Sequence, residues 1–179
     1  SQLGRARAIA RRLPSIKGAK VDQQPGIEFR QPEFKTYYMN MMRQYKEFLD
    51  GTGVPYAMEI VDEPRETPNP WNRNLEDTCR YGDWMAEAGV KNRFVTPMGD
   101  GSKGKPYMKL VDHADIISIH AWSTSAKMMA RTKEAGKTLW FYNSGMERLE
   151  WGMFPWKHEA TGRYEWHWCW HEGSAVGGY

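Results

Sequence analysis

Asp62 and Glu63 stand side by side at the end of an apolar run, Val54-Pro-Tyr-Ala-Met-Glu-Ile-Val61, and Pro64 follows them at once. A strand carrying Tyr56, Met58, Ile60 and Val61 has little use for adjacent acids unless they project from its C-terminal edge. That edge is where (β/α) barrels build their active sites. Two carboxyl groups held together there can divide acid and base roles between them. The plainer alternative is a polar loop in which Asp62 caps a turn, with Pro64 ending the strand. Glu59 lies within the strand, on the same side as Glu63 by alternation, and offers a competing carboxylate. If buried, it needs an Arg or His partner.

Further polar and aromatic groups fall at corresponding places along the chain. In Asp115-Ile-Ile-Ser-Ile-His-Ala-Trp122 the alternation puts Ile117 and Ile119 on one face and Ser118, His120 and Trp122 on the other. The isoleucines are expected to meet helices and His120 to face a barrel mouth. The competing reading of His120 is an interior histidine held by hydrogen bonds. Thr96 ends the run Arg93-Phe-Val-Thr96, Tyr142 and Asn143 end the run Thr138-Leu-Trp-Phe-Tyr-Asn143, and Trp170, His171 and Glu172 end the last one. Trp166, Trp168 and Trp170 share a face with Glu172, and only Trp170 is near enough to a strand end to serve as a sugar platform.

The elements that must position these groups alternate. Phe34, Tyr37, Tyr38, Met41, Tyr45 and Phe48 follow helical spacing, with Pro32 suited to the first turn and Gly51 to the stop. A strand over 54–61 follows, and then a helix capped by Asn74 and ending at Gly89. Arg93 to Thr96 reads as a short strand and Gly99 to Gly104 as a loop. Strand 115–122, a helix from Thr124 to Ala135 closed by Gly136, strand 138–143, a helix from Trp151 to Ala160 stopped by Gly162, and strand 164–170 complete the pattern. Such alternation means right-handed βαβ units on a parallel sheet. No Gly-rich phosphate fingerprint follows any strand, which disfavours a dinucleotide fold.

The fold class expected is therefore α/β, a partial (β/α)8 TIM-type barrel of about five parallel strands with helices outside. A complete barrel takes about 200 residues or more, whereas this chain has 179. Residues 32–179 read as the C-terminal part of a barrel domain and residues 1–31 as a peripheral basic helix and loop. An open five-stranded sheet is the other possibility. The remaining strands would come from a missing N-terminal part or from another chain.

Composition bounds the class. The chain is 40% hydrophobic and 26% charged, with nine tryptophans and nine tyrosines. Sugar C–H faces stack on aromatic rings, although buried aromatics also serve as ordinary core. A net charge of +3 is too small to imply nucleic acid. The cluster Gly4-Arg-Ala-Arg-Ala-Ile-Ala-Arg-Arg12 is read as a solvated helix face, with assembly through it a weaker idea. No apolar run reaches the roughly 18 residues of a membrane span, and arginines interrupt residues 1–13 where a signal peptide would be apolar. Cys79 and Cys169 lack metal-ligand spacing. No metal or cofactor is expected, and the compartment stays open, with a periplasmic or extracellular setting preferred.

The segments Tyr56-Ala-Met-Glu-Ile-Val-Asp-Glu-Pro64, Leu139-Trp-Phe-Tyr-Asn143 and Trp156-Lys-His-Glu-Ala-Thr-Gly-Arg-Tyr-Glu-Trp-His-Trp-Cys-Trp170 resemble the barrel domain of glycoside hydrolase family 123. The likeness covers roughly residues 32–172. It implies a β-N-acetylhexosaminidase-like activity on carbohydrate, with Asp62 orienting the substrate's acetamido group and Glu63 as acid/base. His120, Trp122, Tyr142, Asn143, Trp170 and Glu172 are the expected substrate-binding residues. Retaining glycosidases with an enzymic nucleophile need a carboxylate about 5 Å from the acid. The strand that should carry it ends in Asn143, and Glu147 or Glu172 would have to substitute. A silent carbohydrate-binding or structural barrel fragment is the alternative, because an incomplete barrel holds a site less rigidly.

Overall fold

The computed structural model describes residues 32–66, 74–98, 106–120, 125–143 and 152–164. The chain divides into two compact units, Ser1–Tyr38 and Met39–Tyr179. Of the first, only the opening turns of helix α1 (Pro32–Gly51) are described, where the Phe34 and Tyr38 rings lie 6.0 Å apart. The peripheral helix expected over 1–31 lies outside the described residues.

The second unit alternates as the spacing predicts. After α1 come β1 (Met58–Glu59), α2 (Leu75–Glu87), β2 (Arg93–Val95), a 3₁₀ turn (Pro106–Lys109) leading into α3 (Leu110–His113), β3 (Ile116–His120), α4 (Ala126–Glu134), β4 (Thr138–Tyr142), α5 (Phe154–Lys157) and β5 (Gly162–Tyr164). All four strand pairings are parallel and the strands lie in chain order, β1 to β5, in a curled half-barrel. The partial α/β barrel is thus the architecture. Among the described residues β1 pairs only with β2 and forms one edge of the sheet.

Local chemistry fixes the helix starts. The Asn74 side chain accepts a 2.7 Å hydrogen bond from the Asp77 amide, and Ser125 accepts one of 3.4 Å from Met128, each satisfying an orphan donor of the first turn. Gly136 after α4 takes φ +65, as a left-handed stop requires. Gly51 instead remains within α1, and the chain turns at Gly53, φ +67.

Other boundaries moved for physical reasons. Strand 54–61 contracts to a two-residue ladder extended by Ile60, whose amide donates 2.8 Å to Phe94 O, because the chain bends from Ile60 to Glu63. The helix expected over 151–160 is only the turn α5. Gly162 does not stop it but opens β5, where a Cβ would stand 2.4 Å from Trp140 Nε1. Only a glycine admits the indole at that distance. Residues 165–170 of the expected last strand lie outside the described residues. The turn and helix from Pro106 to His113 were not legible in the sequence.

Register divides the sheet into two faces. The outer face carries Val95, Ile117, Ile119, Leu139 and Phe141, all buried. Phe141 packs on Phe154 of α5 at 5.1 Å between ring centroids. Gly82 lets α2 approach α3 and the Ile60 side chain, since a Cβ there would meet the His113 carbonyl oxygen at 2.3 Å. Arg93 ties the layers together: its guanidinium donates to both Asp115 carboxylate oxygens, at 2.8 and 2.7 Å, and to the Gly82 carbonyl at 2.6 Å. The inner face carries Glu59, Phe94, Ser118, His120, Trp140, Tyr142 and Tyr164.

Candidate functional site

The C-terminal ends of the strands bring several of the expected residues together. Alternation alone would send Asp62 and Glu63 to opposite faces. The bend after Ile60 and the left-handed backbone of Glu63, φ 47, break that alternation. The charges of both carboxylates bear on one phenol, that of Tyr142. Tyr142 is held well above its ordinary pKa, first by burial and then by the charges of Glu63 and Asp62. It therefore stays a neutral hydroxyl throughout the working range of a protein.

Tyr142 is locked by its neighbours. The His120 ring meets it edge-on at 5.1 Å, and the Tyr164 ring stacks on it at 4.7 Å with 26° between planes. His120 is 2% exposed and lies on the inner face in register with Tyr142, as expected. The Asn143 side chain offsets part of the upward push on Tyr142. Asn143 is itself left-handed, φ 49, and its amide donates 3.2 Å to the Tyr164 carbonyl.

Glu63 is partly shielded, with 23% of its side chain exposed, and its Oε2 lies 4.0 Å from the Arg65 guanidinium. Arg65 is mostly exposed, so the pair is a weak one. Glu59, feared buried, is exposed on the edge strand. Trp122, Trp170, Glu172 and the substitute Glu147 lie outside the described residues. Two further inner-face residues are prominent: Tyr164, which had not been a site candidate, pushed up to about 12 chiefly by burial, and Thr96, expected as the polar end of its strand, whose hydroxyl shares a 2.9 Å hydrogen bond with it. Alternation could have found Tyr164, since it lies on the inner parity of its strand.

The opposite end of the sheet does not compete. A concavity of about 490 Å³ there is lined by Lys46, Asp50, Tyr56 and Lys91 among others. Asp50, its acid, already accepts hydrogen bonds from Lys46 at 2.5 Å and Tyr56 at 2.7 Å. Cys79 is buried, and burial pushes its thiol up to about 11, so it is no nucleophile. Among the described residues no group of three His, Cys, Asp or Glu could hold a metal ion, and no helix is long and apolar enough to cross a membrane.

Comparison with protein-family models, curated proteins and solved structures returned no match. What this chain's fold and site define is a parallel α/β half-barrel with two carboxylates, two stacked tyrosines, a histidine and an asparagine at the C-terminal ends of its strands.

Proposed function

We propose that the protein is a glycoside hydrolase acting on N-acetylhexosamine-containing glycans by substrate-assisted, retaining hydrolysis. The observation that carries this reading is that Asp62 and Glu63 follow β1 and that Tyr142 and Asn143 end β4, at the same C-terminal end of one parallel sheet, where barrel enzymes do their chemistry. Two adjacent acids at the same end of the sheet as the stacked Tyr142 and Tyr164 rings combine carboxyl groups with an aromatic wall. That is the surface a sugar ring with a 2-acetamido group requires.

In this mechanism the substrate's acetamido oxygen attacks the anomeric carbon as the glycosidic C–O bond breaks. Asp62 accepts the acetamide N–H and stabilises the positive charge that develops on the ring so formed. Glu63 gives its proton to the leaving oxygen and, as carboxylate, then takes one from the water that opens the ring. No enzymic nucleophile is needed, which accords with Asn143 standing at the end of β4. His120, Tyr142 and Asn143 would contact the sugar. The test is a pair of aryl glycosides with the same leaving group, one bearing 2-acetamido and the other 2-hydroxy. Only the first should be turned over, and equal turnover of both would refute the reading.

The open edge at β1, where Glu59 is exposed, favours a second reading: a silent carbohydrate-binding barrel fragment. Binding of an N-acetylhexosamine glycan by a protein that cleaves neither substrate would support it. The remaining barrel strands, from a longer chain or from another one, would then be required for activity.

A further inference from the structure

β2 and β5 are not neighbours, because β3 and β4 lie between them. Three strand spacings of about 4.8 Å would separate them by roughly 14 Å along a flat sheet, beyond the reach of a tyrosine. The Tyr164 hydroxyl nevertheless lies 2.9 Å from Thr96 Oγ1. The bond exists because the sheet curls, and it closes a clamp across the concave side. The ring so clamped is the one on which Tyr142 stacks, while His120 closes the Tyr142 ring from another direction. Phe94 adds an edge contact to Tyr164 at 5.7 Å, which leaves the Tyr164 ring little freedom.

We propose that Tyr164 is a positioning residue: its hydroxyl, pinned to Thr96 across the inner face, fixes the ring on which Tyr142 stacks and so holds the Tyr142 hydroxyl in place at the end of the sheet that also carries Asp62 and Glu63. The inference rests on the reading of Asp62 and Glu63 as the reacting pair. Tyr164 itself need touch no substrate. Tyr164→Phe keeps the stacked ring and loses the anchor, and Thr96→Val removes the same bond from the other side.

Each substitution should lower kcat on an aryl N-acetylhexosaminide by about tenfold, the scale of a sub-ångström misplacement, with KM little changed. The double variant should be no worse than either single one. In a Tyr142→Phe background, Tyr164→Phe should have no further effect, because the hydroxyl it positions is gone. An undiminished effect in that background would overturn the proposal in favour of a merely structural role. A measurement independent of turnover uses protein labelled with ¹³C at the tyrosine ζ carbon. The Tyr142 resonance should respond to Glu63→Gln in the otherwise wild-type protein and lose that response when Tyr164→Phe is added. A response retained with Tyr164→Phe would overturn the proposal. A wild-type protein that cleaves no N-acetylhexosaminide would sink the glycosidase reading alone, and the resonance would still decide the positioning role.

Discussion

Glu63 and Asn143 adopt the same left-handed backbone, φ 47 and φ 49, just past the ends of two parallel strands, β1 and β4. For residues other than glycine this conformation costs about 1–2 kcal/mol, and asparagine tolerates it better than most. Strained positions of this kind cluster where a side chain must be aimed. Here both residues bear on the pKa of the same phenol, Glu63 raising it by its charge and Asn143 lowering it.

Replacing Asn143 should separate backbone from side chain. Asn143→Gly relieves the conformation and should change stability by no more than a few tenths of a kcal/mol, whereas Asn143→Ala should destabilise by about 1 kcal/mol. Both should lower turnover similarly, because both remove the amide beside Tyr142. Urea unfolding and steady-state kinetics on the two variants check this, and equal unfolding midpoints would contradict the backbone argument.

Gly162 makes a comparable demand by contact rather than by φ. An added Cβ would stand 2.4–2.6 Å from three atoms of the Trp140 indole, within the aromatic layer of the inner face. Gly162→Ala should therefore destabilise by about 1–3 kcal/mol, the usual cost of overpacking. Tryptophan fluorescence should change along with the urea midpoint, and an unchanged midpoint would show that the indole moves aside at no cost.

Acid stability should report the Arg93–Asp115 pair. Burial pushes the Asp115 carboxyl up, but the hydrogen bonds and charge of Arg93 outweigh it, and the pKa falls below its ordinary value. The stabilisation is therefore complete above the unfolded value of about 4 and is lost as pH falls through the lower, folded value. Asp115→Asn should be less stable than wild type at neutral pH, and the gap should close as the pH drops below about 4. Urea midpoints for both proteins from pH 7 to pH 2 provide the check. A gap independent of pH would assign the effect to packing.

Much of the architecture was legible in the sequence. The parallel order follows from strands alternating with helices, the cap of α2 from Asn74, and the outer face from Ile117 and Ile119. The site was legible in part. Asp62 and Glu63 after β1, and Tyr142 and Asn143 at the end of β4, lie at one end of the sheet because the strands of the alternating pattern run parallel. Thr96 was legible as the polar end of its strand and Tyr164 by its parity, but the bond between them was not, because it depends on curl, which brings non-neighbouring strands within reach and leaves no mark on periodicity. Gly162 was misread for a similar reason. A glycine after a helix looks like a stop unless one knows that an indole from the next strand lies against it.

The two carboxylates should fail in different ways when neutralised. Glu63→Gln should slow substrates with poor leaving groups by about 10²–10⁴-fold and spare activated aryl glycosides, which need little protonation. Asp62→Asn should slow both kinds, because the attacking acetamide loses its orienting acceptor. Rates across a series of phenol leaving groups for the two variants test this, and the same leaving-group dependence in both would erase the division of roles.

Nucleophilic participation by the acetamide is tested most directly by weakening that nucleophile. Aryl N-acetylhexosaminides carrying zero, one, two or three fluorines on the acetyl methyl differ little in size, while their amide oxygens become progressively less nucleophilic. If the acetamide attacks the anomeric carbon between Asp62 and Glu63, kcat/KM should fall steeply with each added fluorine. If turnover proceeds at a rate indifferent to fluorination, the nucleophile is a group of the protein, and the substrate-assisted mechanism is wrong.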